Sequence, residues 1–325
     1  MIDLALVVMG GTLPWGVTGS TPGQCSKGRF ATTSCAQNTR GSHANRSLTF
    51  TFLGASVKIA VIPPTSLLES YGVLGDKYHL CLSHEVLTNV GYAEFYQRRR
   101  REGDFVILDN SAHEQLEGQS LDQLVRAAKY VGPSEIVLPD RLFFGDDTIE
   151  RSTEAFERLR EEFPTTRLMG VPQGRTVKEW LVCLDAFLDL GVDTIGISKD
   201  YEVWPDGLGA LVELVRGAGE QDIHLLGWGR ELWQLRELAN LVRGVDSAKP
   251  VVYALHGVEL PDVISPASTP KYPRRQNDFF AGPANGEYPL EFHRIARANI
   301  AAFRREAQGG LDARRGVRAS QVVGS

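Results

Sequence analysis

From Val57 onward the chain alternates short, β-branched or apolar runs with longer amphipathic segments, and few folds accept that rhythm. The runs are VKIAVI (57–62), YHLCLS (78–83), DFVILD (104–109), EIVLPD (135–140), RLMGVPQ (167–173), DTIGIS (193–198), IHLLGWG (223–229) and GVDSA (244–248). Their apolar residues are consecutive rather than alternating, as in strands buried on both faces of a parallel sheet. The segments between them read as helices. SLDQLVRAAKYV (120–131) opens on a Ser cap, and TIERSTEAFERLREEF (148–163) has a 3.6-residue period and stops before Pro164. TVKEWLVCLDAFLDLG (176–191) ends on a Gly C-cap, and LGALVELVRGAG and RELWQLRELANLVRG close in the same way. Such alternation implies right-handed βαβ units. Eight strand candidates over roughly 190 residues predict an α/β fold, a compact (β/α)8 TIM-like barrel. The first crossover, PTSLLESYGVLGD, holds at most a short helix, and a doubly wound open sheet is the alternative.

The barrel is expected over residues 57–260. Residues 1–56 are rich in Ser, Thr, Gly and Asn without a sustained period, and read as a poorly ordered N-terminal arm or as a stretch not native to the protein. Residues 261–325 form a basic C-terminal extension with a helix. The chain as a whole carries a net charge of −5, so it is not a polyanion binder by bulk electrostatics. Between Lys271 and Arg318, however, there are ten Lys/Arg and five Asp/Glu, a local +5 that leaves −10 for the remainder. A basic region on an acidic body suits local docking of a phosphate backbone as well as it suits a solvated helical face.

Cys25, Cys35, Cys81 and Cys183 are scattered and form no CxxC pair, so the default is a reducing, cytoplasmic compartment without a disulfide framework. No metal site is expected. The spacing of Cys25, Cys35 and His43 is wrong for zinc, and His84 and His113 read as capping or solvent-exposed residues. The apolar start carries Asp3 and no basic n-region, a poor signal peptide. No run is long enough to cross a membrane.

In a barrel of this kind the active site lies at the C-terminal ends of the strands. The third strand ends in Asp109, the fourth in Asp140, the fifth in Gln173, the seventh in Gly227-Trp228-Gly229 and the eighth in Asp246. Each aspartate alone could cap a turn or a helix. Three buried carboxylates at one rim cost several kcal/mol each unless paired or used, roughly speaking, and together favour a site. Two carboxylates flanking a bond suit glycosidic chemistry, one as nucleophile at C1′ and the other as acid and base. Gln173 offers the donor and acceptor that a purine edge requires, and Gly227 and Gly229 leave room for a flat base.

The ordered series VILDNSAHE, EIVLPD, GVPQG, IGISKD, HLLGWG and GVDSAKP…ALHG resembles the queuine/archaeosine tRNA-guanine transglycosylase superfamily, over about Val57 to His256. It is most similar to the branch acting on DNA, the 7-deazaguanine DNA transglycosylases of bacteria and phages. The resemblance implies that Asp246 is the nucleophile, that Asp109 is the general acid/base, and that Asp140 reads the N1–H and 2-amino edge of the base. It further implies that Gln173 and Gly174 contact the base, with Gly196 doing so through its backbone, and it sets His224 and Gly227 on the family's HxMG run; Gly229 remains a candidate from the room it leaves for a flat base. IGISKD has fewer glycines than the family's loop, and Leu255 stands where the family has an arginine before His256-Gly257. No cysteine follows Cys183, so the family's zinc site, with which it docks tRNA, cannot form. The expected partners are therefore DNA, with tRNA as the alternative, and a free 7-deazaguanine base such as preQ0; no cofactor is required. Arg98, Arg99 and Arg100 in QRRRR, and Lys271, Arg274 and Arg275 in KYPRR, are the candidate phosphate contacts, joined by Arg294, Arg297, Arg304 and Arg305. Competing readings are a zinc-free tRNA enzyme, a base-excising N-glycosidase and an inactive DNA-binding subunit.

Overall fold

The computed structural model describes residues 57–115, 118–204, 207–229, 232–238, 240–260 and 287–308. Each expected run contains a strand: β1 (Lys58–Val61), β2 (Tyr78–Leu82), β3 (Phe105–Asp109), β4 (Glu135–Val137), β5 (Arg167–Gly170), β6 (Thr194–Ser198), β7 (Asp222–Leu226) and β8 (Gly244–Ser247). All ladders are parallel, and the strand order is β1-β8-β7-β6-β5-β4-β3-β2. β1 also lies beside β2. No ladder pair joins those two strands among the described residues, so the cylinder is nearly closed rather than an open doubly wound sheet.

The first crossover is as short as its sequence suggests, a single turn α1 (Leu68–Tyr71) between two 3-10 turns. Later crossovers carry α2 (Ser83–Thr88) and α3 (Val90–Arg101), α4 (Ala112–Gln115) and α5 (Leu121–Val131), then α6 (Gly145–Glu162), α7 (Val177–Leu190), α8 (Gly207–Ala218) and α9 (Leu232–Leu238). After β8 come α10 (Lys249–Leu255) and α11 (Leu290–Gln308). Local chemistry sets the boundaries. Ser120 and Gln123 form a capping box at the start of α5, and Asn89 and Thr176 cap α3 and α7. Gly132 and Gly191 end α5 and α7 in the left-handed conformation.

The strands bury both faces in two separate cores. Alternate residues point into the barrel, where Ala60, Tyr78, Leu80, Leu82, Ile107, Val137, Met169 and Val171 pack together. The other face meets the helices in a larger core that includes Trp180, Phe187 and Phe303. Gly196, expected to contact a base, belongs to the interior packing instead. A Cβ there would come within 2.9 Å of Met169 Sδ and of Val171 Cγ2, so the inward side chains of the neighbouring β5 segment favour a glycine in β6.

At the end where the strands start, the barrel is stoppered by an ion network. Glu135 is fully buried and accepts hydrogen bonds from Arg243 Nη1 at 3.0 Å and Thr194 Oγ1 at 2.5 Å, with a further, shorter bond from Arg243 Nη2. Arg167 reaches the same carboxylate at 3.3 Å and Asp222 at 2.7 Å. Burial alone would raise the Glu135 pKa, but the charge and hydrogen bonds of Arg243 outweigh it and hold the carboxyl below its ordinary range.

α11 buries Phe292, Ile295, Ile300 and Phe303 and packs on α9, α10 and β1. Its Asn299 side chain is fully buried. It donates to Pro250 O and Val258 O, each at 3.0 Å, and accepts from Leu260 N at 2.6 Å. The boundary expected at residue 260 therefore does not isolate this helix, and every described residue belongs to the unit Thr51–Ser325. No helix among the described residues is long and apolar enough to cross a membrane.

Candidate active site

The strand ends surround a cavity of about 310 Å³, at the small end of the range for ligand pockets. Asp109, Asp140, Gln173, Gly227 and Asp246 all line it. Its apolar walls include Ile62, Leu80, Leu82, Val137, Val171 and Leu226, so the carboxylates share a largely apolar-lined space.

Asp246 is buried in β8 and does not cap the next helix. The first N–H of that helix, Lys249 N, donates to Ser247 Oγ at 3.0 Å. Asp246 Oδ1 instead accepts from His224 Nε2 at 3.1 Å and from Gly227 N at 3.0 Å. Gly227 presents that N–H from a left-handed turn, φ 69°, which a side chain would strain. Oδ2 has no hydrogen-bond donor among the described residues. One oxygen is thus anchored while the other stays available. His224 is fully buried, and its Nδ1 accepts from Tyr78 OH at 2.8 Å. Tyr78 OH accepts in turn from Arg243 Nε at 3.2 Å. A polar column runs down the barrel axis from Asp246 to the stopper at Glu135. Burial raises the Tyr78 pKa, so the phenol keeps its proton and donates it.

Asp109 ends β3. Its Oδ2 accepts from Ser111 N at 2.8 Å, the turn-capping bond its sequence context allows. Burial, then the charge of Glu114, raise its pKa well above the usual carboxylate range, with Asp140 and Asp246 adding to the effect and the Ser111 bond opposing it. Asp140 is buried and its pKa is pushed up to about 6 by desolvation, opposed by hydrogen bonds from Asn110 Nδ2 at 2.6 Å and Gln173 Nε2 at 2.5 Å. Gln173 Oε1 is already occupied, accepting from Tyr201 OH at 2.7 Å and Phe143 N at 3.0 Å. Gln173 therefore holds Asp140 in place, and its acceptor is not free to read a purine edge.

The remaining expected contacts separate from the cavity. Gly174, Gly196 and Gly229 are not among the lining residues. Gly174 packs under the first turn of α7, where a Cβ would come within 2.5 Å of Trp180 N, and its own N–H donates to Tyr201 OH at 3.0 Å. Gly229 O accepts from the buried Lys249 Nζ at 3.3 Å.

The QRRRR run is a larger departure. Because α3 returns antiparallel to the strands, Arg98, Arg99 and Arg100 lie beside the strand starts, at the end opposite Asp246. They are also engaged there: Arg98 with Glu69, Arg99 with Glu102 and, at 3.7 Å, Asp104, and Arg100 with Asp104 O at 2.8 Å and Gly132 O at 2.9 Å. On α11, Arg294 pairs with Glu259 and Glu291, Arg304 pairs with Asp76, and Arg297 lies over the Tyr71 ring. Lys271, Arg274 and Arg275 lie outside the described residues, as do residues 1–56 with Cys25, Cys35 and His43.

Four lining or supporting residues were given no role in the site from sequence. Asn110 sits inside the LDNSA motif but gave no signal of its own. His113 is exposed, as read from sequence, and also lines the cavity and approaches Asp200 at 3.6 Å. Trp228 lines the cavity, and its buried Nε1–H has no partner among the described residues. Tyr78 is 168 residues from Asp246 in the chain, a link only the folded barrel provides. Among the described residues no group of three His, Cys, Asp or Glu side chains is arranged to hold a metal ion.

The chain was compared with the models of known protein families and with curated proteins, and neither comparison finds a match.

Proposed function

We propose that this protein is a guanine transglycosylase that exchanges guanine in DNA for a 7-deazaguanine base of the preQ0 type. The observation that carries the reading is the pairing of two unlike carboxyl groups in one cavity. Asp246 has one anchored and one available oxygen, and Asp109 is held toward its protonated form. The motif order that resembles the transglycosylase superfamily supports the same assignment.

In this reading an extruded nucleotide enters the mouth, because its C1′ is inaccessible inside a duplex. Asp246 Oδ2 attacks C1′, a C–O bond forms, and the C1′–N9 bond breaks with its electron pair going to the purine. Asp109 gives its proton to the departing guanine, which leaves neutral. A 7-deazaguanine then binds, Asp109 takes the proton from its N9, and N9 attacks C1′ to release Asp246 as a carboxylate. Asp140, kept in place by Asn110 and Gln173, accepts from the N1–H and 2-amino edge. Free base and polynucleotide meet in the cytoplasm, the setting this reading requires.

The test is base exchange by the purified chain. Guanine-labelled DNA and, separately, guanine-labelled tRNA are incubated with free preQ0, and the nucleosides are analysed by mass spectrometry. The expected result is preQ0 in DNA with release of guanine. Abasic DNA without an inserted base would replace transfer by hydrolysis. Modification of tRNA alone would overturn the choice of polynucleotide, and no change in either would overturn the chemistry.

A further inference from the structure

The turn that follows Asp140 displays two aromatic rings at the cavity rim. Leu142 lines the cavity, while Phe143 and Phe144 are 41% and 37% exposed. The display is enforced. Phe143 is held at φ 66°, a conformation that costs a side chain of this size about 1–2 kcal/mol. Its N–H is bound to Gln173 Oε1, and Phe144 N donates to Arg141 O at 3.0 Å. Thr148 Oγ1 bonds both the N–H of Arg141, at 3.0 Å, and its carbonyl, at 3.2 Å. The turn leaves both phenyl rings partly exposed, with Phe143 meeting the Tyr201 ring edge-on at 6.0 Å.

Two guanidiniums lie over the second ring, with Arg141 Cζ 4.2 Å and Arg175 Cζ 4.3 Å from the Phe144 centroid. Arg141 is also paired with Asp147 at 2.7 Å. No carboxylate pairs with the Arg175 guanidinium among the described residues, so its charge is the less compensated of the two. Arg175 follows Gln173 and Gly174 directly, so both rim elements leave the cavity from residues that hold Asp140.

A partly exposed Phe143 ring beside guanidinium planes laid over Phe144 is chemistry that binds single nucleic-acid strands, bases stacking on the ring and on the guanidinium planes and phosphates meeting the cations. We infer that the Phe143–Phe144 turn with Arg141 and Arg175 is the docking surface for the DNA strand, seating the nucleotides that flank the base delivered to the cavity. This rests on the proposed function for the choice of DNA, but it is a claim about binding, independent of whether exchange follows. It also relocates the phosphate contacts from the QRRRR end of the barrel to its mouth.

The test is fluorescence anisotropy of a labelled, guanine-containing single-stranded DNA oligonucleotide at several salt concentrations, using the full chain with Asp246→Asn to prevent turnover. Phe144→Ala should weaken binding about tenfold, and Phe144→Trp should restore it. Arg175→Ala should weaken binding severalfold and reduce the log–log salt slope by about one. Binding of free guanine should be unchanged in all three, which also shows that the cavity is intact. Oligonucleotide affinity and salt slope that both ignore Phe144→Ala and Arg175→Ala would overturn the proposal. A loss confined to a tRNA probe would overturn it too. If the dependences hold while the unsubstituted chain exchanges no base, the docking surface stands and the proposed chemistry falls.

Discussion

The two ends of the barrel interior handle buried charge in opposite ways. At the strand starts, Glu135 is surrounded by Arg243, Arg167 and Thr194, and its pKa is lowered despite complete burial. At the strand ends, Asp109, Asp140 and Asp246 share one cavity without a directly bonded arginine or lysine among the described residues, and the first two have raised pKa values. A buried carboxylate with a complete set of partners stabilises or at least spares a fold, whereas carboxylates left under-compensated keep protons and oxygens available for chemistry. The contrast teaches where to look for function in this molecule, and it can be broken from either end.

The largest effect is expected at the mouth. Asp246→Ala removes the proposed nucleophile, and exchange should fall by about four orders of magnitude or more with the fold retained, as read by product analysis and circular dichroism. Full activity in that variant would end the mechanism given above. At the other end, Arg243→Met strands the Glu135 charge and should cost about 3–5 kcal/mol in urea unfolding. Adding Glu135→Gln should recover much of that loss, and the absence of any recovery would mean that Arg243 acts by packing alone.

The column joining the two ends gives an intermediate test. His224→Leu removes the donor that orients Asp246 and should lower the single-turnover rate by about a hundredfold while leaving free-base affinity unchanged. His224→Gln, which keeps a donor, should recover part of the rate. An equal loss in both variants would mean that the imidazole itself is required.

The smallest effect is in stability and carries a sign. Asp109 and Asp140 have folded pKa values above the unfolded value of about 4. The stabilisation from holding their protons is complete below about pH 4 and is lost as pH rises through the folded values, about 6 for Asp140. Asp109→Asn removes its share of that loss and should raise the Tm by a few degrees at about pH 8, with little change near pH 4. A variant less stable than the parent at both pH values would place Asp109 among the structural carboxylates. By the same shift, exchange by the unsubstituted chain should decline as pH rises through the Asp109 value.

The barrel was legible because strands buried on both faces leave an unbroken apolar signature, and because Ser120, Thr176, Gly132 and Gly191 mark helix ends by local chemistry. The strand-end aspartates were legible for the same reason: position along a strand fixes which end of a barrel a residue occupies. What escaped depends on the third dimension. Nothing in YHLCLS signals that Tyr78 meets His224 across the interior, and nothing in IGIS distinguishes a glycine that clears space for Met169 from one that faces a ligand. The arginine run misled because charge density carries no information about which end of the barrel a helix terminus reaches. Phe143 and Phe144 passed as ordinary apolar residues, since exposure is invisible until the turn after β4 is built.

The missing ladder between β1 and β2 has a mechanical consequence. Both strands are tied by ladders on one side only, β1 to β8 and β2 to β3, and the cavity is walled there by Ile62, Leu80 and Leu82. Widening the cylinder between any other neighbouring strands breaks parallel ladder bonds, whereas among the described residues parting this pair breaks no ladder bond and strains one contact at its entrance, from Asp76 N to Ile59 O at 3.4 Å. The seam is the compliant wall of the chamber, where a ligand wider than the resting cavity would find the least resistance, and its amides would be the first in the cylinder to exchange with deuterium.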